Sequence, residues 1–133
     1  MTNDNDNVER MRRGYDAFST GDLDTLRELF SPDIVWHAGG DNPLTGDYKG
    51  TDEVFGFFGK LLELSAGTLS QEVHDLLAND THGVALTHVK AQRPDGRALD
   101  QNQVAVFHID GGGRVTEAWT LPSDAAAADA FFA

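Results

Sequence analysis

Leu99-Asp100-Gln101-Asn102-Gln103-Val104-Ala105-Val106-Phe107-His108-Ile109, then Asp110-Gly111-Gly112-Gly113, then Arg114-Val115-Thr116-Glu117-Ala118-Trp119-Thr120-Leu121, is the part of the chain that says most about its architecture. Two runs rich in β-branched and aromatic residues flank a turn of Asp and Gly, the pattern of a β-hairpin. The pattern repeats upstream. Pro94-Asp95-Gly96 separates residues 84–92 from the first run, and Asn79-Asp80-Thr81-His82-Gly83 separates residues 69–78 from residues 84–92. Four strands joined by tight turns predict an antiparallel meander in which each strand pairs with the one before it.

The first half of the chain has a helical period. Val8, Met11, Tyr15 and Phe18 recur at spacings of three and four, which predicts a helix over about residues 7–19. Gly21 stops it, Asp22 caps a second helix carrying Leu23, Leu26 and Phe30, and Ser31-Pro32 ends that one. A strand, Ile34-Val35-Trp36-His37, runs into a loop of turn formers between Gly39 and Gly50. Thr51 is the expected N-cap of a third helix, with Asp52 and Glu53 complementing its dipole, Val54, Phe55, Phe58, Leu61 and Leu62 on its buried side, and Gly67 as its stop. Gly56 and Gly59 each cost such a helix about 1 kcal/mol against alanine, so close backbone packing is expected there, with room for a ligand as the alternative. Past Pro122-Ser123, the Ala-rich residues 124–133 predict a short helix packing Phe131 and Phe132. Helices first, then a sheet that must bury one face against them, is an α+β order, and a twisted sheet around three helices leaves a cone-shaped hollow.

Composition narrows the function. The 133 residues, 40% of them hydrophobic and including eight Phe and two Trp, suit one domain over 1–133, with residues 1–6 expected to be disordered. With 22 acidic against 10 basic side chains, the net charge of −12 repels phosphate backbones and anionic headgroups, so neither nucleic acid nor membrane is an expected partner. No cysteine is present, which removes disulfides and thiol nucleophiles and fits a reducing compartment. The start, Met1-Thr2-Asn3-Asp4-Asn5-Asp6-Asn7, lacks the basic and apolar regions of a signal peptide, and no stretch approaches the ~20 apolar residues of a membrane span. A cytoplasmic protein is expected.

Three stretches carry a family resemblance: Tyr15-Asp16-Ala17-Phe18 ahead of Gly21-Asp22; Trp36-His37 with Pro43-Leu44 and Tyr48-Lys49-Gly50; and Gly113-Arg114-Val115-Thr116-Glu117-Ala118-Trp119. In this order and spacing the chain resembles the nuclear transport factor 2-like superfamily, in particular its SnoaL-like and ketosteroid-isomerase-related bacterial members. The resemblance implies a cystatin-like α+β roll, a cone-shaped, curved mixed sheet wrapped around three helices of the N-terminal half. It implies one internal, mostly apolar pocket and homodimers formed through the outer sheet face. It also implies a spread of activities, among them isomerases, polyketide cyclases, epoxide hydrolases, dehydratases and plain binding subunits. In the ketosteroid isomerases a base lies at the end of the first strand, and the matching position is His37. Ala105 falls near the place of their protonated Asp, and Tyr15 about one residue from their Tyr.

His37 is the first candidate catalytic group, an imidazole that titrates near ~6.5 at the end of an apolar strand; the alternative is a histidine hydrogen-bonded at a cavity mouth. His88 is the second, expected inward because it shares a strand face with Val84 and Leu86, with a hydrogen-bonded sheet histidine as the alternative. Gln103 shares a face with Gln101, Ala105 and Phe107; on an inner face the amides would hold a carbonyl or hydroxyl, on an outer face solvent or a partner. Trp119 and Glu117 share a face, with Trp119 expected in core or cavity wall. There Glu117 would act as acid or base with a raised pKa, or pair with Arg114. Tyr15, Tyr48, Phe55 and Phe58 complete the candidate ligand-binding set, with core packing the other reading of Tyr15 and a loop anchor that of Tyr48. The five histidines show no metal-ligand spacing, so neither a metal nor a cofactor is expected. Two functions stand side by side. One is a cofactor-free isomerase or cyclase moving a proton on a polyketide-, terpenoid- or steroid-like carbonyl compound, and the other a non-catalytic, homodimeric pocket protein for a small apolar molecule.

Overall fold

The computed structural model describes residues 4–133, with side chains from residue 6 onward. Ten elements follow in order: α1 (Asp4–Thr20), α2 (Leu23–Leu29), β1 (Phe30–Ala38), β2 (Gly46–Lys49), α3 (Thr51–Leu64), β3 (Ser70–Ala78), β4 (His82–Gln92), β5 (Ala98–Ile109), β6 (Val115–Pro122) and α4 (Ala125–Phe132). They form one six-stranded sheet in the order β2-β1-β6-β5-β4-β3, antiparallel except where β1 lies parallel to β6. The architecture is the expected α+β one, with a mixed sheet and the three longer-range meander turns where Asp and Gly put them.

Several local expectations differ from the structure. Of the polar start expected to be disordered, residues 1–3 lie outside the described residues and residues 4–6 already belong to α1. Phe30 belongs to β1 rather than α2, because Pro32 disfavours helix in the residues before it and the chain turns extended at Phe30 (φ −102°, ψ 139°). Gly46-Asp47-Tyr48-Lys49, hidden among turn formers, forms the edge strand β2. The N-cap of α3 is Gly50 (φ +85°), with no side-chain cap, so Thr51 is the first helical residue. Gly56 and Gly59 are exposed with nothing near the position of an added Cβ, so neither packing nor a ligand explains them. On that helix Phe57 is buried and Leu62 is exposed. Asp22 caps α2 as expected, accepting hydrogen bonds from Thr25 N (3.1 Å) and Thr25 Oγ1 (2.6 Å).

Register settles which side chains share a face. Ala78, Gly83, Phe107, Ala118, Trp36 and Tyr48 stand opposite one another in one cross-strand row, on the face that the helices cover. The neighbouring row, Leu77, Val84, Val106, Trp119, His37 and Asp47, lies on the opposite face. The main core joins Ile34, Trp36, Val54, Phe57, Phe58 and Phe107 with Met11 and Leu26 from the first two helices. A smaller one, Val89, Ala91, Leu99, Ala128 and Phe131, sits under α4.

Candidate functional site

Between the helix-covered sheet face and α1, α3 and α4 the chain encloses a cavity of about 170 Å³, partly open to solvent. Its wall is largely aromatic and aliphatic: Phe18 from α1, Phe57 and Phe58 from α3, Trp36 and Phe107 from the sheet, Phe132 from α4. The sheet supplies this wall because alternate residues of β1 and β5 face the helices, and α4 closes over Leu99 and Val89.

A few polar groups interrupt the wall, and most are neutral. Gln101 is occupied structurally: its Oε1 accepts from Asp124 N (2.7 Å) and its Nε2 donates to Asp124 O (3.1 Å), tying β5 to the start of α4. The Gln103 and Gln71 amides and the Tyr15 hydroxyl line the cavity with no side-chain hydrogen bond among the described residues. Burial raises the Tyr15 hydroxyl far above the usual phenol range, so it stays a neutral donor. At the rim, the Asp129 carboxylate accepts from Asp41 N (2.9 Å) and Asn42 Nδ2 (2.8 Å), which holds it below the ordinary carboxylate value and ionised.

The opposite sheet face carries a separate polar cluster. Asp47 Oδ1 lies 2.7 Å from His37 Nδ1, and Glu117 Oε2 lies 2.6 Å from His37 Nε2. Trp119 stacks on the same ring at 5.0 Å, and His108 Nδ1 lies 3.4 Å from Glu117 Oε1. Farther along this face His88 contacts Asn102 Oδ1 (2.8 Å) and Asp100, with His74 stacked on it at 6.0 Å. Among the described residues no group of three or more His, Asp or Glu side chains is placed to hold a metal ion.

The model of the SnoaL-like domain matches residues 11–118. The chain belongs to the SnoaL-like family. An uncharacterised protein of Mycobacterium tuberculosis is 33% identical over 134 residues, covering 100% of both chains. Among solved structures, Bal32a from a soil-derived mobile gene cassette is 33% identical with a TM-score of 0.90 and 96% of each chain covered. IdmH of Streptomyces antibioticus, named as a candidate polyketide cyclase, shares 21% identity and a TM-score of 0.71 over 88% of this chain and 91% of its own.

Set on this SnoaL-like fold, the candidate residues divide in two. Tyr15, Phe58 and Gln103 line the cavity. His37, His88, Glu117 and Trp119 do not; they lie on the far face of the sheet. For His37 the cause is strand alternation: Trp36, only 8% exposed, takes the inward position, so its neighbour must point outward. For His88 the inner set of β4 is Gly83, Ala85, Thr87 and Val89, all buried, while Leu86 beside it is 37% exposed. The small residues lie inside because α1 presses close: a Cβ on Gly83 would meet Met11 Sδ at 2.6 Å. Glu117 pairs with His37 and His108 rather than with Arg114. Tyr48 stacks on Phe57 at 4.6 Å and donates to Leu44 O (2.7 Å), as a loop anchor does, and Phe55 packs against Phe30 and Arg27; neither reaches the cavity. Ala105, 1% exposed, occupies the inner face where the resemblance implies an acid. Sequence reasoning missed Phe57, Gln71 and Trp36 as wall residues; for Trp36 the signal was its alternation with His37, taken in the wrong phase.

Proposed function

We propose that the cavity binds one small, apolar, uncharged molecule and holds a carbonyl or hydroxyl oxygen of it with the Tyr15 hydroxyl and the Gln103 amide. The observation that carries this reading is an aromatic-walled cavity whose wall bears neutral hydrogen-bonding groups that the protein itself leaves unused. A non-catalytic binding role fits best, because neither histidine offered as acid or base reaches the cavity and the Asp129 carboxylate is committed to two donors.

A second reading, a cofactor-free cyclase or isomerase acting on a carbonyl compound, draws on family membership and on the name IdmH carries. Its proton-transferring group would have to come from Tyr15 or Asp129, not from His37. Incubation of the purified protein with a panel of cyclic and open-chain ketones, read by mass spectrometry for both retained ligand and product, separates the two. Retention without turnover supports the binding role; turnover that survives His37→Ala and fails in Tyr15→Phe establishes the second reading.

We also keep a cytoplasmic location and a homodimer in this proposal. Among the described residues no helix is long and apolar enough to cross a membrane. Leu77, Leu86 and Leu121, at 51%, 37% and 54% exposure, lie in adjacent rows of the outer sheet face, where a second copy would cover them. Sedimentation equilibrium at the mass of one chain would refute the homodimer.

A further inference from the structure

The cavity is partly open, and the exposure of its lining marks where. Among the described residues that line it, only Gly39, Gly40 and Ala125 are exposed; the others are buried or half-buried. Gly39 and Gly40 begin the loop that joins β1 to β2, residues 39–45, and Ala125 opens α4. The mouth therefore lies between that loop and α4.

Asp129 spans this gap. The residues of α4 that line the cavity are Ala125, Ala128, Asp129 and Phe132, a stripe at helical spacing, so the helix lies across the hollow with the carboxylate in its inner stripe. Its Oδ1 accepts from both Asp41 N (2.9 Å) and Asn42 Nδ2 (2.8 Å), and because Asp129 is ionised both bonds are charge-assisted. Among the described residues no other hydrogen bond joins α4 to the loop.

The two sides of the gap are held unequally. Behind α4, buried Phe131 packs over Val89 and Leu99, while Arg93 and Arg97 donate to the last carbonyls. The loop is fixed at its far end by buried Leu44 and by a turn in which Thr45 N donates to Asn42 O (3.0 Å). At its near end stand Gly39 and Gly40, with no side chain to pack. Nothing lies within 4 Å of a Cβ placed on Gly39, and one on Gly40 would meet only Asp129 and Asn42. Once Asp129 lets go, the loop is the side free to swing, turning on these two glycines.

We propose that residues 39–42 form a gate over the cavity mouth, hinged at Gly39 and Gly40 and latched shut by Asp129. This rests on the reading of the cavity as a ligand site, and it goes beyond that reading by naming the route a ligand takes and the contact that sets its rate. A ligand passes when the two bonds to Asp129 break, and they re-form behind it. The latch joins loop to helix in the empty and the filled protein alike, so it governs how fast a ligand comes and goes rather than how tightly it is held.

The test uses 4-fluoroacetophenone, a neutral one-ring ketone whose free and bound fluorine resonances report exchange. A single ring suits the space: about 170 Å³ is close to the roughly 150 Å³ of an engineered apolar cavity that takes up benzene. Wild type, Asp129→Ala and Gly39→Ala are compared. In Asp129→Ala the association and dissociation rate constants rise together by about threefold to thirtyfold, while Kd changes by less than about twofold. Gly39 has room for a methyl and a φ outside the left-handed region, so Gly39→Ala stiffens the hinge, and both rate constants fall by about twofold or more.

Unchanged rates in either variant overturn the gate and leave the cavity as a ligand site. Faster dissociation alone in Asp129→Ala, with Kd weakened in proportion, means that Asp129 holds the ligand itself, and overturns the gate as well. Failure of the probe to bind the wild-type protein overturns the ligand-site reading together with it.

Discussion

His37 has a carboxylate oxygen against each ring nitrogen, and a neutral imidazole owns only one N–H. Both contacts are therefore satisfied together only by the imidazolium. The hydrogen bond to Glu117, then that to Asp47, raises its pKa above the ordinary value, against the pull of burial. His88 is raised too, first through Asn102 and then through Asp100. A folded-state value above the unfolded one, about 6.5, means that the stabilisation is complete below about pH 6.5 and disappears as pH rises through the folded value. Thermal melts should therefore fall as pH rises above about 6.5, and the double variant His37→Gln, His88→Gln should show a shallower fall. An unchanged profile in that variant would refute the assignment. None of this touches the cavity, so ligand affinity in His37→Gln should match the wild type.

At the scale of an element, α4 is the piece to watch, since eight residues have little helical stability of their own and depend on what they dock against. Asp124 caps its start by accepting from Ala127 N (3.0 Å). Arg93 donates to Phe131 O (2.9 Å) and Arg97 to Ala133 O (2.7 Å), which satisfies carbonyls that no further turn reaches. Phe131, 2% exposed, anchors the helix over Val89 and Leu99. Asp129 ties the other side to the loop at Asp41 and Asn42, and Gly40 is required there: its φ is +91°, and a Cβ would lie 2.4 Å from Asp129 Oδ1. Phe131→Ala should cost about 3–5 kcal/mol by chemical denaturation. Asp129→Ala should leave the midpoint nearly unchanged while amide exchange quickens in α4 and in residues 39–45. Equal protection in both proteins would show that the latch does not hold α4 down.

For the whole molecule, the close approach of α1 to the sheet decides which face is which. The Met11 thioether crowds Gly83, where an added Cβ would lie 2.6 Å from its Sδ, and Ala85, Ala105 and Ala118 continue the narrow strip. Gly83→Ala should therefore lose about 1–3 kcal/mol of stability, with Met11→Ala in the same chain recovering part of the clash by removing the atoms it meets. A Gly83→Ala protein as stable as the wild type would mean that α1 is held less tightly than this packing requires.

The order of elements apart from the edge strand β2, the meander and its turns, the α2 cap at Asp22 and the helix at residues 125–132 were legible in the chain, because Gly, Pro, Asp and hydrophobic period act locally. So was the likeness to the SnoaL-like family. The phase of each strand was not. Val84-Ala85-Leu86-Thr87-His88-Val89 and Ile34-Val35-Trp36-His37 offer two faces of similar polarity, and alternation says only that neighbours differ, not which of them is inside. That depends on how near the helices come and on which strand lies beside which, a matter of contacts between residues far apart in the chain. Tertiary packing therefore turned Trp36 inward with an unpaired N–H and set His37 outside between two carboxylates.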